Sequence, residues 1–375
     1  MSEVIRTVRF EEAEEFQRFL ERCYGFWPGF FSDTYPDRAE ADEENRRCYL
    51  VLERDGKIVS HVGTYPMSIV IGPARVSCGG VGGVATLPEE RGKGYMTRLM
   101  HESVERMRQQ GMALSALWGD QQRYSTFGYE TCGVKYVVRV TRRALGWLKI
   151  EPARLAEVAP SDPAAAARVG EMHAALPYRV ERPRLALQLQ RRDARLFLGE
   201  DSYLITNKAW GGNMQVREIH SPTGREPELI LAMLNIAFAS SAAVEVGPGD
   251  GGLMERLLPV APGWEAYPQG MLRIVDWPRL VGDLKPLLAA RAPGLEPFAV
   301  AVGCRWGEET EWATVDWDGT ELDVRPGKDA GEAVELGVRE LTAVVVGGPH
   351  PQVSRLGALG RLLPVPLHIP SLDHV

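Results

Sequence analysis

The spacing of apolar side chains changes several times along this chain, and each change marks an element. Glu11–Tyr24 carries an amphipathic helical pattern, and an aromatic-rich loop follows. From Cys48 to Leu87 the pattern is that of strands, with Asp55-Gly56 as a hairpin turn. A helix begins after Gly94, with Met96, Leu99, Met100 and Val104 at core spacing. It runs to about Gln110, where Gly111 is a natural stop. The apolar run Met112–Trp118 reads as a buried strand, and Val134–Val140 as the strand that closes a first αβ unit, 1–142.

Leu145–Pro160 turns Pro- and Ala-rich, which suits a linker. The stretch 143–270 then shows helical patterns at Ala164–Leu176, Arg182–Arg192 and Glu226–Phe238. Between them lie a hairpin pattern, Ser202–Ala209 with Asn213–Ile219, and later an apolar strand, Ala242–Val246. The run Gly247–Gly252 lacks the Lys-Ser/Thr of a phosphate loop and any basic neighbour, so a strand-to-helix turn is expected there. The last stretch, 271–375, shows helical Trp277–Ala292, strands at Phe298–Trp306, Trp312–Asp318 and Leu322–Arg325, and helical Val334–Val345.

Candidate chemistry concentrates at 84–98. A β-branched strand, Val81–Leu87, runs through a Pro turn into the basic loop Arg91-Gly92-Lys93-Gly94, and the helix follows. Such a loop turns backbone N–H groups toward one point at a helix N-terminus, where a phosphate or pyrophosphate is favoured. The spacing fits neither the Walker loop nor Gly-x-Gly-x-x-Gly, since Thr97 stands where the third glycine is needed. After the next strand comes Tyr124-Ser-Thr-Phe127-Gly128-Tyr129. These aromatics suit either a buried core or a catalytic phenol.

The two motifs, in this order, resemble those of the GNAT acetyltransferases. In that family an Arg/Gln-x-x-Gly-x-Gly/Ala loop holds acyl-coenzyme A, and a Tyr three residues before an aromatic/apolar-Gly-aromatic element lies beside the thioester sulfur. Arg91 and Gly94 fit the loop, while Met96 departs from it. The chain is more similar to the Eis (enhanced intracellular survival) branch, whose loop reads Val-x-Val-Leu-Pro-x-x-Arg-Arg-x-Gly-Leu-Leu-Arg; there a bulky residue matches Met96, while Gly92 replaces an Arg and Thr86 a Val. The specific motifs span about 80–130.

This resemblance implies an α+β fold in three parts: a catalytic GNAT domain at 1–142, a degenerate GNAT-like domain at 143–270, and a sterol-carrier-like (SCP2-like) α/β domain at 271–375. It implies an acetyl-CoA-dependent N-acetyltransferase acting on a polyamine, aminoglycoside or lysine-like amine, and a homohexamer. A non-catalytic binder of acyl-CoA or a lipid-like ligand is the alternative.

Composition narrows the setting. With 43 basic against 50 acidic side chains the net charge is −7, which argues against nucleic acid or anionic membrane as a partner. Five scattered cysteines lack metal-ligand spacing and suit a reducing cytoplasm; no metal is expected. No signal-peptide core or bilayer-length apolar run is evident.

Attack of an amine on an acetyl thioester sets four needs. The loop residues Arg91, Gly92, Lys93, Gly94, Tyr95 and Met96 are expected to hold the pyrophosphate, and Val84, Ala85 and Thr86 the pantetheine arm. A backbone N–H near Val84 is the candidate donor to the thioester carbonyl. Tyr124, with an ordinary pKa of about 10 against roughly 8.5 for a thiol, is protonated and able to donate to the leaving thiolate. The resemblance places the terminal carboxylate, here Val375, in the active site, with Asp373 and His374 as secondary candidates. The acceptor pocket is expected from Phe26, Trp27, Phe30 and Phe31 with the acids Asp33, Asp37 and Glu40, a pattern that equally suits a helix contact with a solvated acidic edge. His61 and His101 carry no pattern.

Overall fold

The computed structural model describes residues 2–39, 42–207, 212–347 and 351–375. The expected acid Glu40 and the end of the expected strand at Ala209 lie outside the described residues.

The first sheet is built around two long strands, Lys57–Ile71 and Ala74–Thr86. Tyr49–Arg54 joins Lys57–Ile71 through the Asp55-Gly56 turn, whose φ values of 50° and 81° are both left-handed, as a two-residue hairpin of this twist requires. Ala74–Thr86 crosses over through the helix Tyr95–Gln109 to the parallel strand Leu114–Leu117. That helix buries Leu99, Met100, Val104 and Met107 on one face. The parallel ladder runs only from Cys78↔Leu114 to Val81↔Leu117. Beyond Val81 the longer strand continues without it to Thr86, leaving a splayed opening between the two.

The strand Val134–Val140 was expected to close this sheet. Instead Lys135–Thr141 pairs in a second sheet, with Ser241–Val246 on one side and Gly263–Tyr267 on the other. The first sheet is completed by Gly270–Ile274, which lies antiparallel between Leu114–Leu117 and Glu130–Cys132. Gly133, with φ 71°, separates two short strands that diverge into different sheets. Tyr178–Val180 also joins the first sheet, on Lys57–Ile71.

The second sheet repeats the strand–helix–parallel strand order: Asn213–His220, helix Glu226–Ile236, Ser241–Val246. It too parts early, after Val216↔Val244. Three other expectations change. The supposed linker holds a helix, Arg142–Trp147, and a strand, Ala156–Val158. Helix 182–192 shortens to Leu185–Gln188. The helix expected from Val334 starts at Val338, because Glu332–Gly337 pairs parallel with Phe298–Trp306 in a third, four-stranded sheet. Gly247–Gly252 is the strand-to-helix turn expected. Helix Trp277–Arg291 packs on both the first and third sheets, with Leu280, Leu284 and Leu288 in one shared core. Among the described residues no helix is long and apolar enough to cross a membrane.

Candidate active site

Where the parallel strands part, the loop after Thr86 and the N-terminus of the helix Tyr95–Gln109 enclose a cleft of about 630 Å³. All nine residues expected to hold the cofactor line it: Val84–Thr86 along the strand and Arg91–Met96 around the loop. Gly92 and Gly94 have φ of 80° and 77°, conformations that L side chains rarely adopt. They turn the loop tightly between the strand and the helix N-terminus; the Arg91 N–H closes the preceding turn on the Pro88 carbonyl at 3.4 Å. No acidic residue stands in the first turn of the helix, so its positive end is left for an anion. Lys93 is tied to Glu90 at 2.6 Å and Arg91 is exposed. Tyr95 lines the cleft but is mostly buried, its hydroxyl on Glu3.

A second cavity, of about 290 Å³, opens on the other side of the strand. Phe26, Phe30, Phe31, Tyr35, Tyr49 and Tyr65 give it an aromatic wall, with Val375 at one side. The two spaces meet at Tyr24, which lines both and donates its hydroxyl to the Val84 carbonyl at 2.9 Å. Burial, then the neighbouring Tyr124, pushes the Tyr24 phenol up to about 12. Tyr24, Tyr49 and Tyr65 had no sequence signal beyond lying on an amphipathic helix and two buried strands.

The strand between the cavities is bulged. Gly63 faces Gly82 and His61 faces Ala85, so two residues, Gly83 and Val84, stand opposite the single Val62. Gly83 takes φ 62° to allow it. Gly83 lines the aromatic cavity and Val84 the cleft at the glycine loop.

Tyr124 ends a one-turn helix, Gln121–Tyr124, and is 7% exposed; its neighbour Arg123 lines the cleft, whereas Tyr124 lies behind it and lines neither cavity. Its ring lies against Gly119, where a Cβ would meet ring carbon Cε2 at 2.4 Å. Burial raises its pKa, only partly offset by Arg123. Phe127 and Tyr129 are core residues; Tyr129 bonds the Ser115 hydroxyl at 2.8 Å.

The C-terminal segment runs past the opening of the second sheet, where the Ser371 N–H donates to Glu245 at 2.9 Å. It then enters the first sheet's opening. The His374 ring stacks on Trp118 at 3.7 Å, and burial pushes its pKa down to about 3. Val375 lies on the glycine stretch of the bulged strand: a Cβ at Gly82 would meet its carboxyl carbon at 2.7 Å.

Several expected acceptor residues are elsewhere. Trp27 is 46% exposed under Arg192 and lines neither cavity, and Asp33 is exposed. Asp37 is buried in a two-point pair with Arg191, at 2.8 and 2.7 Å. Asp373 is 2% exposed, and both its oxygens are bound by Arg182, which also takes both oxygens of Glu218. A carboxylate so engaged does not contact an amine; its role is to anchor the tail. Burial alone would raise both carboxyls, but Arg182 outweighs it, holding Glu218 well below and Asp373 below the usual range. Arg182→Met is expected to cost about 3–5 kcal/mol in denaturant unfolding, since it strands two buried charges. Depressed carboxyls contribute stability above their unfolded value, about pH 4, that is lost as pH falls through the folded one. The melting temperature should therefore fall below about pH 4, and less steeply in Asp373→Asn, as circular dichroism at stepped pH would show.

Residues 4–132 match the family model described as an acetyltransferase (GNAT) domain. No curated protein matches the sequence. Among solved structures, the chain is similar to a GCN5-related N-acetyltransferase from Kribbella flavida, at 20% identity and a TM-score of 0.74 over 100% of this chain and 98% of that one. A GCN5-related N-acetyltransferase from Anabaena variabilis aligns at 18% and 0.71, over 98% of both chains. Eis1 from Mycobacterium abscessus aligns at 18% and 0.65, again over 98% of both. At these identities the likeness is one of fold, and it extends over the whole chain. The family match falls on the splayed sheet, its glycine loop and the Tyr124 turn, so the part of the chain that is similar to a GNAT-type acetyltransferase domain is the part that builds the cleft.

Proposed function

We propose that the chain is an N-acetyltransferase that moves acetyl from acetyl-CoA, the co-substrate of GNAT enzymes, to an amine held in the aromatic cavity. The observation that carries this reading is the meeting of the two cavities at the Gly83–Val84 peptide. A thioester carbonyl lying there would have the cofactor cleft behind it and the amine before it. In this reading the Arg91–Met96 N–H groups hold the pyrophosphate, and the edge at Val84–Thr86 pairs with the pantetheine amides. The amine nitrogen bonds to the acetyl carbon as the carbon–sulfur bond breaks. The Val84 N–H donates to the carbonyl oxygen as charge grows on it. Tyr124 gives its proton to the leaving thiolate, and the Val375 carboxylate takes one from the amine.

The aromatic wall favours an amine with an apolar stem, which a lysine side chain, a polyamine or an aminoglycoside each presents in part. We further propose that the unit expected at 143–270, extended by the strand Lys135–Thr141, is degenerate GNAT-like, supported by its repeated strand–helix–strand order, and that the unit expected at 271–375, less the strand Gly270–Ile274 that the first sheet takes, is sterol-carrier-like. A cytoplasmic homohexamer completes the proposal; sedimentation equilibrium tests the assembly.

The test is a panel of amines with acetyl-CoA, read out by free thiol, beside calorimetry of acetyl-CoA alone. Amine-dependent thiol release is expected. Binding without release for any amine would favour the non-catalytic acyl-CoA binder. The Val375 role is tested by adding a few residues after Val375. Deleting the last four would also remove buried Leu372 and Asp373 and so disturb the fold. Extension should lower kcat by about 10²–10⁴-fold, the scale of a lost general base. An extended form as active as the parent would make the tail packing only.

A further inference from the structure

We propose that His61 is a positioning residue that fixes the Gly83–Val84 peptide so that its N–H faces the reacting carbonyl; this rests on the reading of that N–H as the carbonyl donor. His61 lies on the strand Lys57–Ile71, directly behind the bulge, and is fully buried. Its Nδ1 is 2.7 Å from the Gly83 carbonyl oxygen. A carbonyl can only accept, so Nδ1 carries the proton in the neutral ring. Burial holds the ring neutral, its pKa pushed down to about 4.

Three consequences follow from elementary geometry. In a trans peptide the C=O and N–H point in opposite directions. Pinning the Gly83 carbonyl to His61 therefore aims the Val84 N–H away from His61. A hydrogen bond accepted by the carbonyl also polarises the peptide and strengthens that N–H as a donor. Finally, Tyr24 fixes the next carbonyl, that of Val84, so both ends of the half-buried turn are tied. A bulge takes its extra residue out of the ladder, so without such ties this peptide would be the least constrained part of the strand.

His61 is also costly to keep as mere packing. Its Nε2 is buried with no hydrogen-bond partner, and the ring is packed edge-on against Phe16 and Tyr49, at 4.8 and 5.8 Å. Leu would fill this space without burying an unpaired nitrogen. The fit on the other side is just as close: a Cβ on Gly83 would meet the His61 ring at 3.1 Å. The imidazole and the bare glycine are matched to one another.

The experiment compares His61→Leu, His61→Asn and His61→Gln. The Asn amide can occupy the Nδ1 position and donate to Gly83, whereas Gln places its amide near the Nε2 position. Leu and Gln should lower kcat roughly 10–10²-fold, somewhat less than removal of an oxyanion donor outright. KM for acetyl-CoA should stay unchanged, and Asn should recover most of the loss. A readout that packing alone does not move is the infrared stretch of bound acetyl-CoA labelled with ¹³C at the acetyl carbonyl. It should rise in frequency in Leu and Gln and stay at the parent value in Asn. Should Leu fail to fold, the Asn–Gln comparison still decides. Wild-type kcat in Leu or Gln, an unmoved carbonyl band, or Asn no better than Gln would each overturn the role of His61. If the parent protein neither binds nor turns over acetyl-CoA, the reading of the cleft falls as well, which separates the two failures.

Discussion

Tyr124→Phe is expected to lower turnover by about 10²–10⁴-fold, the usual contribution of general acid catalysis, with acetyl-CoA affinity nearly intact. The substitution removes one oxygen from a ring held by packing against Gly119 and Tyr129, so the turn and the cleft keep their shape. The leaving thiolate then has to take its proton from water or carry its charge away. The pH dependence supplies a second check. An acid acts only while protonated, and burial raises the Tyr124 pKa above its ordinary value. In the parent protein the acid's share of kcat should therefore hold through neutral pH and be lost on the alkaline side, above about pH 10. That alkaline limb should vanish in Tyr124→Phe. Full turnover by the variant on the best amine would sink the assignment.

Gly94→Val is expected to abolish acetyl-CoA binding, leaving no calorimetric heat at concentrations that saturate the parent. Gly94 holds φ 77° immediately before the helix Tyr95–Gln109, and a β-branched residue is strained in that conformation. Relief of the strain would move the loop N–H groups that the proposal assigns to the pyrophosphate. No atom lies within 4 Å of where a Cβ would stand, so the added methyls project into open space that Gly94 shares with the cleft. Both effects remove room or donors from an anion. Lys93→Ala is the control, with a far smaller effect expected, because Lys93 is already paired with Glu90. Unchanged affinity in Gly94→Val would place the cofactor elsewhere.

The parts of the site legible in the sequence are those fixed by neighbours along the chain. The glycines of Arg91–Gly94 and the start of the helix lie within one turn of each other, and Tyr124 follows at a short spacing. What stayed hidden depends on partners far away. The bulge at Gly83–Val84 exists only in register with Val62 on another strand. Asp373 and Asp37 looked like candidate acids until set beside arginines 191 and 154 residues away in sequence. Val134–Val140 had the right strand character, but nothing local says which sheet a strand will enter. His61 is apolar in its surroundings and single in its chemistry, so no pattern could mark it.

The placement of Gly270–Ile274 has a consequence for synthesis. This strand sits inside the first sheet, with the edges of Leu114–Leu117 and Glu130–Cys132 on either side. As the chain leaves the ribosome, more than a third of its length appears between those edges and the strand that fills the gap. Domains usually fold as units from the N-terminal end. Here the leading unit must wait with two unpaired edges, and open edges recruit other chains. Folding factors or rapid burial of those edges would matter most in that interval. Nascent chains shorter than 274 residues should be inactive and aggregation-prone, and the enzyme becomes competent only late in translation.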